Sequence, residues 1–426
     1  MYNIVELFSG IGSQAKALKN IDMAIGDAYT CEWDIHALTA YDSIHDSPDI
    51  PFEYLKLGKP ELLDKLKEYT FSNNGKTAMD FSSLKTYSAE SLRRIYTAIV
   101  RSNNFVDITE LAGSRIPTGI DLLTYSFPCQ DLSNVGAFHG YNKGIDKDSG
   151  SRSSLLWQVG RILSEMDDAG INLPRFLLME NVPTLLATRH KKNFLAWIEE
   201  LKSLGYESKY YLLNASDFGL PQNRPRLLMI SVYGGNDDSL KEQIRHYFDK
   251  KTEKEIVSDY KESPYFRNIE IKDLLRINYD DEILFNEACE CTPNDTPSRR
   301  VIWEDNPQLV LNGNRINSKY QVIRTITTKQ DRNPNSGNLY FDSGIEGRGK
   351  FRYLTPRECF LFMGFTDEDY ENVIKYKTEI HKGHNMLSRD KLIRMAGNSI
   401  PVKLLEGIFL QIKQIDRLVF DNDGCA

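Results

Sequence analysis

The chain has 426 residues, of which 41% are hydrophobic and 27% are charged, and its formal net charge is −7. This is the composition of an ordinary globular protein with room for two domains. No apolar run approaches the roughly 20 residues that span a bilayer, and the N-terminus lacks the basic stretch of a signal peptide. Six scattered cysteines form no disulfide framework, which suits a reducing cytoplasm.

Charge is distributed unevenly along the chain. Between Arg299 and Arg352, ten Lys and Arg residues stand against five Asp and Glu residues. Such a region can bind a polyanion or can be a solvated surface, and charge alone favours neither. Cys289 and Cys291 have no second Cys or His pair at zinc-site spacing, so we predict no metal site.

The first predicted unit is a strand, a glycine turn and a helix. Residues 3–8 are strand-like, Gly10 and Gly12 follow, and residues 14–19 favour a helix. This arrangement places a helix N-terminus and open backbone beneath a nucleotide-like ligand. A turn that only connects strand to helix is the alternative, because many α/β folds use one.

Acidic residues follow the next two predicted strands. Residues 28–31 lead to Glu32, at the position where an acid grips ribose hydroxyls, and Trp33 is suited to cover an adenine face. Residues 105–109 are a further predicted strand that contains Asp107, a candidate for an adenine amino group. The polar, helix-prone stretch 46–104 between them is predicted to be either a surface insertion or a helical elaboration of the sheet, and we find no chemistry in it.

Cys129 follows a predicted buried strand over residues 121–126. Pro128 ends that strand, because proline offers no N–H and fixes its own φ. Ligands bind at the carboxyl ends of strands in open α/β sheets, which makes Cys129 a candidate nucleophile, although a free cysteine is most often buried and inert. The glycine-rich stretch 134–151 is long enough to serve as a lid, and a helix is predicted over 154–166.

A second polar group follows the predicted strand 176–179. Glu180 is a carboxylate among apolar neighbours, a setting that raises the pKa and lets the group hold a proton near neutral pH. Asn181 alone fits a simple turn residue. A helix is predicted over 190–204, with Gly205 as its cap.

Two arginines precede the predicted strand 227–232. Arg224 and Arg226 would point the same way in extended backbone, and such a pair suits fixed polar partners. From residue 236 the composition becomes more polar, which suggests a domain boundary. Near the end, Thr355 and Pro356 predict a helix start, and residues 397–399 lead into a predicted helix over 403–416.

These motifs, in this order, resemble those of the C5-cytosine DNA methyltransferases, chiefly the bacterial and phage enzymes of restriction–modification. Each motif is only moderately specific, but the ordered set is highly specific. The stretches 46–104 and 236–320 fall outside the resemblance. The motifs are Phe8-Ser-Gly10-Ile-Gly12, Pro128-Cys129-Gln130, Glu180-Asn181-Val182, Gln222-x-Arg224-x-Arg226, Arg352-x-Leu-Thr-Pro-Arg-Glu358 and Gly397-Asn398-Ser399.

The resemblance implies a Rossmann-like α/β sheet with helices on both faces and a smaller, irregular target-recognition domain. Residues 1–235 would form the catalytic and cofactor-binding domain, with an insertion at about 46–104. Residues 236–385 would form the recognition domain, and residues 386–426 would return to the catalytic domain.

The resemblance also implies S-adenosylmethionine as the methyl donor. The donor would be held by Phe8, Gly10, Gly12, Glu32, Trp33, Asp107, Ile108, Asn398 and Ser399. Cys129 would add to C6 of a flipped cytosine while Glu180 protonates the ring, Arg226 bonds its O2 oxygen, and Arg224 and Asn181 support the site. The residues implied in DNA contact are Gln130, Ser133, Thr325 and Thr327.

Double-stranded DNA is the implied partner of a cytoplasmic monomer of bacterial or phage origin, with no membrane contact. Whether a cognate restriction endonuclease acts beside it stays open. The alternatives are a tRNA cytosine-5 methyltransferase of the same fold and a non-catalytic DNA-binding homologue. The intact Cys129, Glu180 and Arg226 argue against the second alternative.

Overall fold

Short runs rich in Val, Ile, Leu and Tyr form the strands of the protein. The computed structural model describes residues 1–128, 155–306, 309, 322–376 and 378–420. Cys129, Gln130, Ser133 and the predicted lid over 134–151 lie outside these residues. The strands are Tyr2–Leu7 (β1), Ile25–Cys31 (β2), Leu122–Tyr125 (β3), Phe176–Asn181 (β4), Tyr206–Asn214 (β5), Gln222–Asn223 (β6), Pro225–Tyr233 (β7), Ile323–Arg324 (β8), Asn338–Tyr340 (β9), Phe351–Tyr353 (β10), Glu379–His381 (β11) and His384–Asn385 (β12).

Helices connect the strands of the first half and dominate the second half of the described chain. Asp, Ser and Thr side chains cap several of them, as at Asp34 and Thr355, where the side-chain oxygen accepts from a backbone N–H of the first turn. The α-helices are Ser13–Asn20 (α1), Ile35–His45 (α2), Phe52–Leu55 (α3), Lys59–Leu66 (α4), Phe81–Leu84 (α5), Ala89–Arg101 (α6), Leu156–Asp168 (α7), Thr188–Ser203 (α8), Asp238–Lys250 (α9), Glu253–Glu262 (α10), Ile271–Leu274 (α11), Glu282–Glu290 (α12), Pro297–Asp305 (α13), Pro356–Phe362 (α14), Asp367–Ile374 (α15), Arg389–Asn398 (α16) and Val402–Ile415 (α17).

Six strands form the central sheet in the order β2-β1-β3-β4-β7-β5. Strands β1 to β4 run parallel, with Ile4 opposite both Ala28 and Leu122, whereas β7 is antiparallel to β4 and to β5. The N-terminal start of β7 therefore lies at the same edge of the sheet as the carboxyl ends of β1 to β4. The α/β class with a mostly parallel sheet is confirmed.

The sheet has a hydrophobic core on each face, because successive side chains in a strand point to opposite sides. Ile4, Leu122 and Phe176 face one core, where α17 packs against α1. Val5, Leu123 and Leu177, each one residue further along, face the second core beneath α7 and α8. The two faces are thus covered by helices, as the sequence predicted.

Residues 46–104 pack around a third hydrophobic cluster. It joins side chains of α2, α4 and α6 with Phe71 from the connecting loop, and Ile380 and Met386 close it from the β11–β12 hairpin. The backbone N–H of Ser88 donates to the carbonyl of Ile380 at 2.7 Å. The stretch therefore forms a packed helical layer, which agrees with the second of the two alternatives, a helical elaboration of the sheet, rather than with a surface insertion.

The motif that begins at Arg352 is held together by a buried ion pair. Arg352 and Glu358 are both fully buried and pair through two hydrogen bonds of 2.7 and 2.8 Å. Glu358 also accepts from the backbone N–H groups of Thr355 and Arg276, which ties α14 to the segment after α11. These charges are compensated by each other and not by a ligand.

Two strand assignments differ from the sequence-based expectation. Residues 105–109 do not form a strand: Val106 has φ +68°, and only Asn104 forms a bridge, to Thr30. The left-handed residue turns the chain because Asn104 Oδ1 accepts from both Val106 N and Glu32 N. Conversely, the edge strand β5 was not predicted. No described helix is long and apolar enough to cross a membrane.

Candidate active site

A cavity of about 480 Å³ opens at the sheet edge where β1 to β4 end and β7 begins. Its wall contains side chains and backbone from all of these ends and from α16. Of the described residues that the sequence singled out, those that line it are Phe8, Gly10, Glu32, Trp33, Asp107, Ile108, Pro128, Glu180, Asn181, Arg224, Arg226, Asn398 and Ser399. This edge is where ligands bind in open α/β sheets.

The glycine turn after β1 serves two different purposes. Gly10, at φ +56°, lines the cavity, and a Cβ built on it would meet no atom within 4 Å. Gly12, at φ +78°, does not line the cavity, and a Cβ there would overlap the ring of His45. Gly10 thus leaves room for a ligand, whereas Gly12 allows α1 and α2 to approach each other.

Glu32 holds the same turn from the end of β2. One carboxylate oxygen accepts from Gly10 N at 3.0 Å and the other from Asp34 N at 2.8 Å. Burial, and secondarily the charge of Asp34, raises the pKa of Glu32 to about 7. Trp33 lies next to it on the cavity wall. The acid and the aromatic ring are therefore presented side by side at the ligand edge.

Asp107 and Ile108 reach the cavity from a turn. Asp107 is buried, and its Oδ1 accepts from Thr109 N and Thr109 Oγ1, both at 2.8 Å. This turn starts at the left-handed Val106, so the residues face the cavity although they belong to no strand.

Glu180 and Arg226 form an ion pair inside the cavity. Arg226 Nε lies 2.9 Å from Glu180 Oε1, and both side chains are about nine-tenths buried. Burial raises the pKa of Glu180, while Arg226 and Arg224 act in the opposite direction. A carboxyl group that gains protons more readily than usual therefore lies beside a fixed cation.

Arg224 is a buried clamp between the sheet and two distant segments. Its guanidinium donates to the carbonyls of Ile326, Gly397 and Ser399 at 2.8, 2.7 and 2.8 Å. Because Asn398 lies between two of those carbonyls, Arg224 fixes the part of the cavity wall that follows α16. Arg224 and Arg226 both face the cavity, as expected, although Arg224 lies between β6 and β7 rather than within a strand.

Asn181 supports the backbone that leads to Cys129. Its side-chain amide donates to the carbonyl of Phe127 at 3.0 Å, and its oxygen accepts from Val182 N at 2.8 Å. Phe127 and Pro128 line the cavity. Cys129, the next residue in the sequence, lies outside the described residues.

Thr325 and Thr327 flank the buried Ile326, whose carbonyl Arg224 binds. Thr325 Oγ1 donates to Asn223 O at 2.7 Å, and Thr327 Oγ1 donates to Lys329 O at 2.8 Å. Both are half-buried and neither lines the cavity, although the backbone of Thr327 lies against Gly397, which does line it.

Several wall residues carried no recognisable signal in the sequence. Arg394 of α16 binds Asp34 Oδ2 at 2.7 Å, and both residues line the cavity. The turn Gly75–Lys76–Thr77–Ala78 also lines it, although it belongs to the stretch in which the sequence showed no chemistry. The ion pair joins residues that are far apart in the sequence, and the loop reaches the cavity through packing. Neither leaves a local pattern in the sequence from which it could be predicted.

Comparison with known proteins matches this architecture. The sequence model of the C-5 cytosine-specific DNA methylase family matches residues 75–414. The chain is 32% identical over 418 residues to the orphan methyltransferase M.SssI of Spiroplasma monobiae, covering 96% of each chain. It is 30% identical over 418 residues to the type II methyltransferase M2.ScrFI of Lactococcus lactis subsp. cremoris, covering 97% of this chain and 99% of that relative.

Solved structures match in fold. A Dnmt2 methyltransferase of S. pombe aligns with a TM-score of 0.58 at 15% identity, over 98% of this chain and all of that chain. A methyltransferase of Entamoeba histolytica, EhMeth, aligns with a TM-score of 0.54 at 15% identity, over 99% of this chain and 98% of that chain. At this identity the likeness shows the arrangement of the sheet and helices alone.

Proposed function

The chain belongs to the C-5 cytosine-specific DNA methylase family, and from that premise we propose how its own residues carry out the reaction. It is a DNA cytosine-5 methyltransferase. The observation that supports the residue assignments best is the single cavity shared by Glu180, Arg226 and the residues proposed to hold the methyl donor.

Cys129 is the proposed nucleophile. Cytosine C5 is a weak nucleophile, and addition of a thiolate to C6 places electron density on C5. The new S–C6 bond is later broken when the C5 proton leaves and the thiolate is expelled. The residues before it support this role, because Pro128 lies on the cavity wall and Asn181 binds the carbonyl of Phe127.

Glu180 is the proposed acid for the cytosine ring. Thiolate addition places negative charge on the ring, and a carboxyl group that still holds a proton can neutralise it at N3. The raised pKa of Glu180 supports this assignment. Arg226, 2.9 Å from Glu180, would bond O2, while Arg224 and Asn181 would hold the surrounding backbone.

S-adenosylmethionine is the proposed donor, and when bound it supplies an electrophilic methyl group. The cavity fits this molecule: an acid and an indole suited to the nucleoside lie at one end, and open backbone at Gly10 leaves room beside them. Glu32 would bind the ribose hydroxyls, Trp33 would cover the adenine, and Asp107 with Ile108 would bind its edge. Phe8, Asn398 and Ser399 would complete the wall, and Gly12 would act through the position of α1.

The target cytosine has to leave the duplex, because C5 and C6 cannot reach a thiol and a donor while stacked. Residues 236–385 are the proposed recognition domain, with Thr325 and Thr327 as proposed DNA contacts, together with Gln130 and Ser133 in the segment after Cys129. Relatives named as type II and as orphan methyltransferases are both similar to this chain, so a partner restriction endonuclease stays a prediction, as do a monomeric state and a cytoplasmic location.

Methyl transfer to plasmid DNA tests the assignment, with bisulfite sequencing to locate the product. Wild type and a matched control, Cys289→Ser on α12, are expected to mark cytosines in one recurring short context, whereas Cys129→Ser is expected to mark none. Transfer by Cys129→Ser would refute the proposed nucleophile. Transfer to tRNA with none to duplex DNA would favour the RNA alternative.

A further inference from the structure

The stretch 71–79 is fastened to the backbone that follows Glu32. Ser72 N donates to Trp33 O at 2.8 Å, and Ile35 N donates to Ser72 O at 3.0 Å. Met79 N donates to Phe71 O at 2.8 Å, which closes the stretch into a loop. The loop therefore runs alongside the residues proposed to bind the nucleoside.

Internal hydrogen bonds fix the shape of this loop. Asn74 Oδ1 accepts from Lys76 N at 2.8 Å and from Thr77 N at 3.0 Å, and Ser72 Oγ donates to Thr77 O at 2.7 Å. Gly75 approaches Asp34 so closely that an added Cβ would lie 3.1 Å from Asp34 Oδ2. The turn is thus held in one orientation, with residues 75–78 on the cavity wall.

The base of the loop is anchored in the third hydrophobic cluster. Phe71 is 1% exposed there, among Leu62, Leu92 and Ile95. Ser72 is fully buried, whereas Lys76, Thr77 and Ala78 are exposed at the mouth of the cavity. A rigid base with polar side chains at the mouth is suited to contact a bound ligand.

We propose that residues 72–78 form the outer wall of the cofactor site and contact the nucleoside half of S-adenosylmethionine through Lys76 and Thr77. This rests on the proposed function, because it takes the cavity as the donor site. The loop lies next to Trp33, and Asn398 and Ser399, at the end of α16, line the same cavity. The stretch 46–104 thereby has a role in donor affinity.

Donor-site affinity in a Lys76→Ala/Thr77→Ala variant tests this assignment. Calorimetry with S-adenosylhomocysteine is expected to show binding weaker by roughly three- to tenfold, the size of one or two lost hydrogen bonds. 5′-Methylthioadenosine, measured by displacement of labelled S-adenosylhomocysteine, is expected to lose affinity by the same factor. The matched control is Lys85→Ala, which replaces an exposed lysine of the stretch 46–104 that does not line the cavity.

The outcomes separate this inference from the proposed function. Unchanged affinity in the double variant, with wild-type thermal unfolding, would overturn the role of the loop. A loss confined to S-adenosylhomocysteine would overturn the assignment to the nucleoside half. If wild type binds neither compound, the cofactor assignment of the cavity fails, and this inference fails with it.

Discussion

Replacing Arg224 should cost more stability than replacing any exposed arginine. Arg224 is 1% exposed and donates to the three carbonyls of Ile326, Gly397 and Ser399. Hydrogen bonds to a charged group contribute about 1.5–3 kcal/mol each, and part of this offsets the cost of burying the guanidinium. We therefore expect Arg224→Met to lose about 3–5 kcal/mol, a large share of a typical total of about 5–15 kcal/mol.

Arg224→Lys is the milder variant, because one ammonium keeps the charge but cannot serve three separated carbonyls. Its expected loss is about 2 kcal/mol in urea unfolding, together with weaker binding of S-adenosylhomocysteine because residues 397–399 lose their support. Arg245→Met is the control, since that side chain is half exposed in its pair with Glu207 and should change stability by less than about 0.5 kcal/mol. If Arg224→Lys unfolds at the same urea concentration as this control, the clamp does not stabilise the fold.

Two further predictions concern titratable groups. Because burial raises the pKa of Glu180, the rate of methylation should persist to higher pH than an ordinary glutamic acid allows and should decrease as Glu180 loses its proton. Glu180→Gln should lower kcat roughly a hundredfold and should remove this decrease in rate at alkaline pH. If the rate of Glu180→Gln still decreases at alkaline pH, another group is responsible for the decrease. Burial raises the pKa of Glu6 from 4.5 to about 7, offset in part by the hydroxyl of Tyr41, so the folded state holds this proton more tightly than the unfolded state. Stability from this group is complete below pH about 4.5 and is lost as the pH rises to 7, at a cost of about 3 kcal/mol. Glu6→Gln should therefore unfold at higher urea than wild type at pH 8 and show no such gain at pH 4.5; equal midpoints at pH 8 would contradict this account.

Elements with strong local patterns could be predicted from the sequence. The apolar run at 176–179 becomes β4, and the helix predicted over 403–416 is α17, one residue earlier at each end. Thr355 caps α14 as predicted, and Glu358, three residues later, adds a reciprocal bond to the backbone N–H of Thr355. The direction of the predicted strand alone was enough to place Glu180 at the edge of the sheet where ligands bind.

Features created by tertiary packing could not be predicted. The sequence pattern at 105–109 is that of a strand, but Val106 adopts a left-handed conformation. The cause is that Asn104 Oδ1 accepts hydrogen bonds from Val106 N and Glu32 N, two backbone groups that would otherwise pair within a sheet. Strand β5 contains the polar run Glu207-Ser208-Lys209, and its residues alternate between exposed and buried only over 210–213, so its signal in the sequence is short. The approach of residues 75–78 to the cavity depends on Phe71, whose cluster includes Ile380 and Met386 from a distant part of the chain.

The third hydrophobic cluster is separate from the two cores that cover the sheet. Proteins open locally in cooperative units, and because helices α4 and α6 share this cluster with Phe71, we expect them to open together. A ligand that binds only the closed form lowers the population of the open form. Amide hydrogen exchange in α4 and α6 should consequently slow when the cofactor site fills, while exchange in the central strands stays limited by global unfolding. Backbone amides that never touch the cofactor would then report its occupancy.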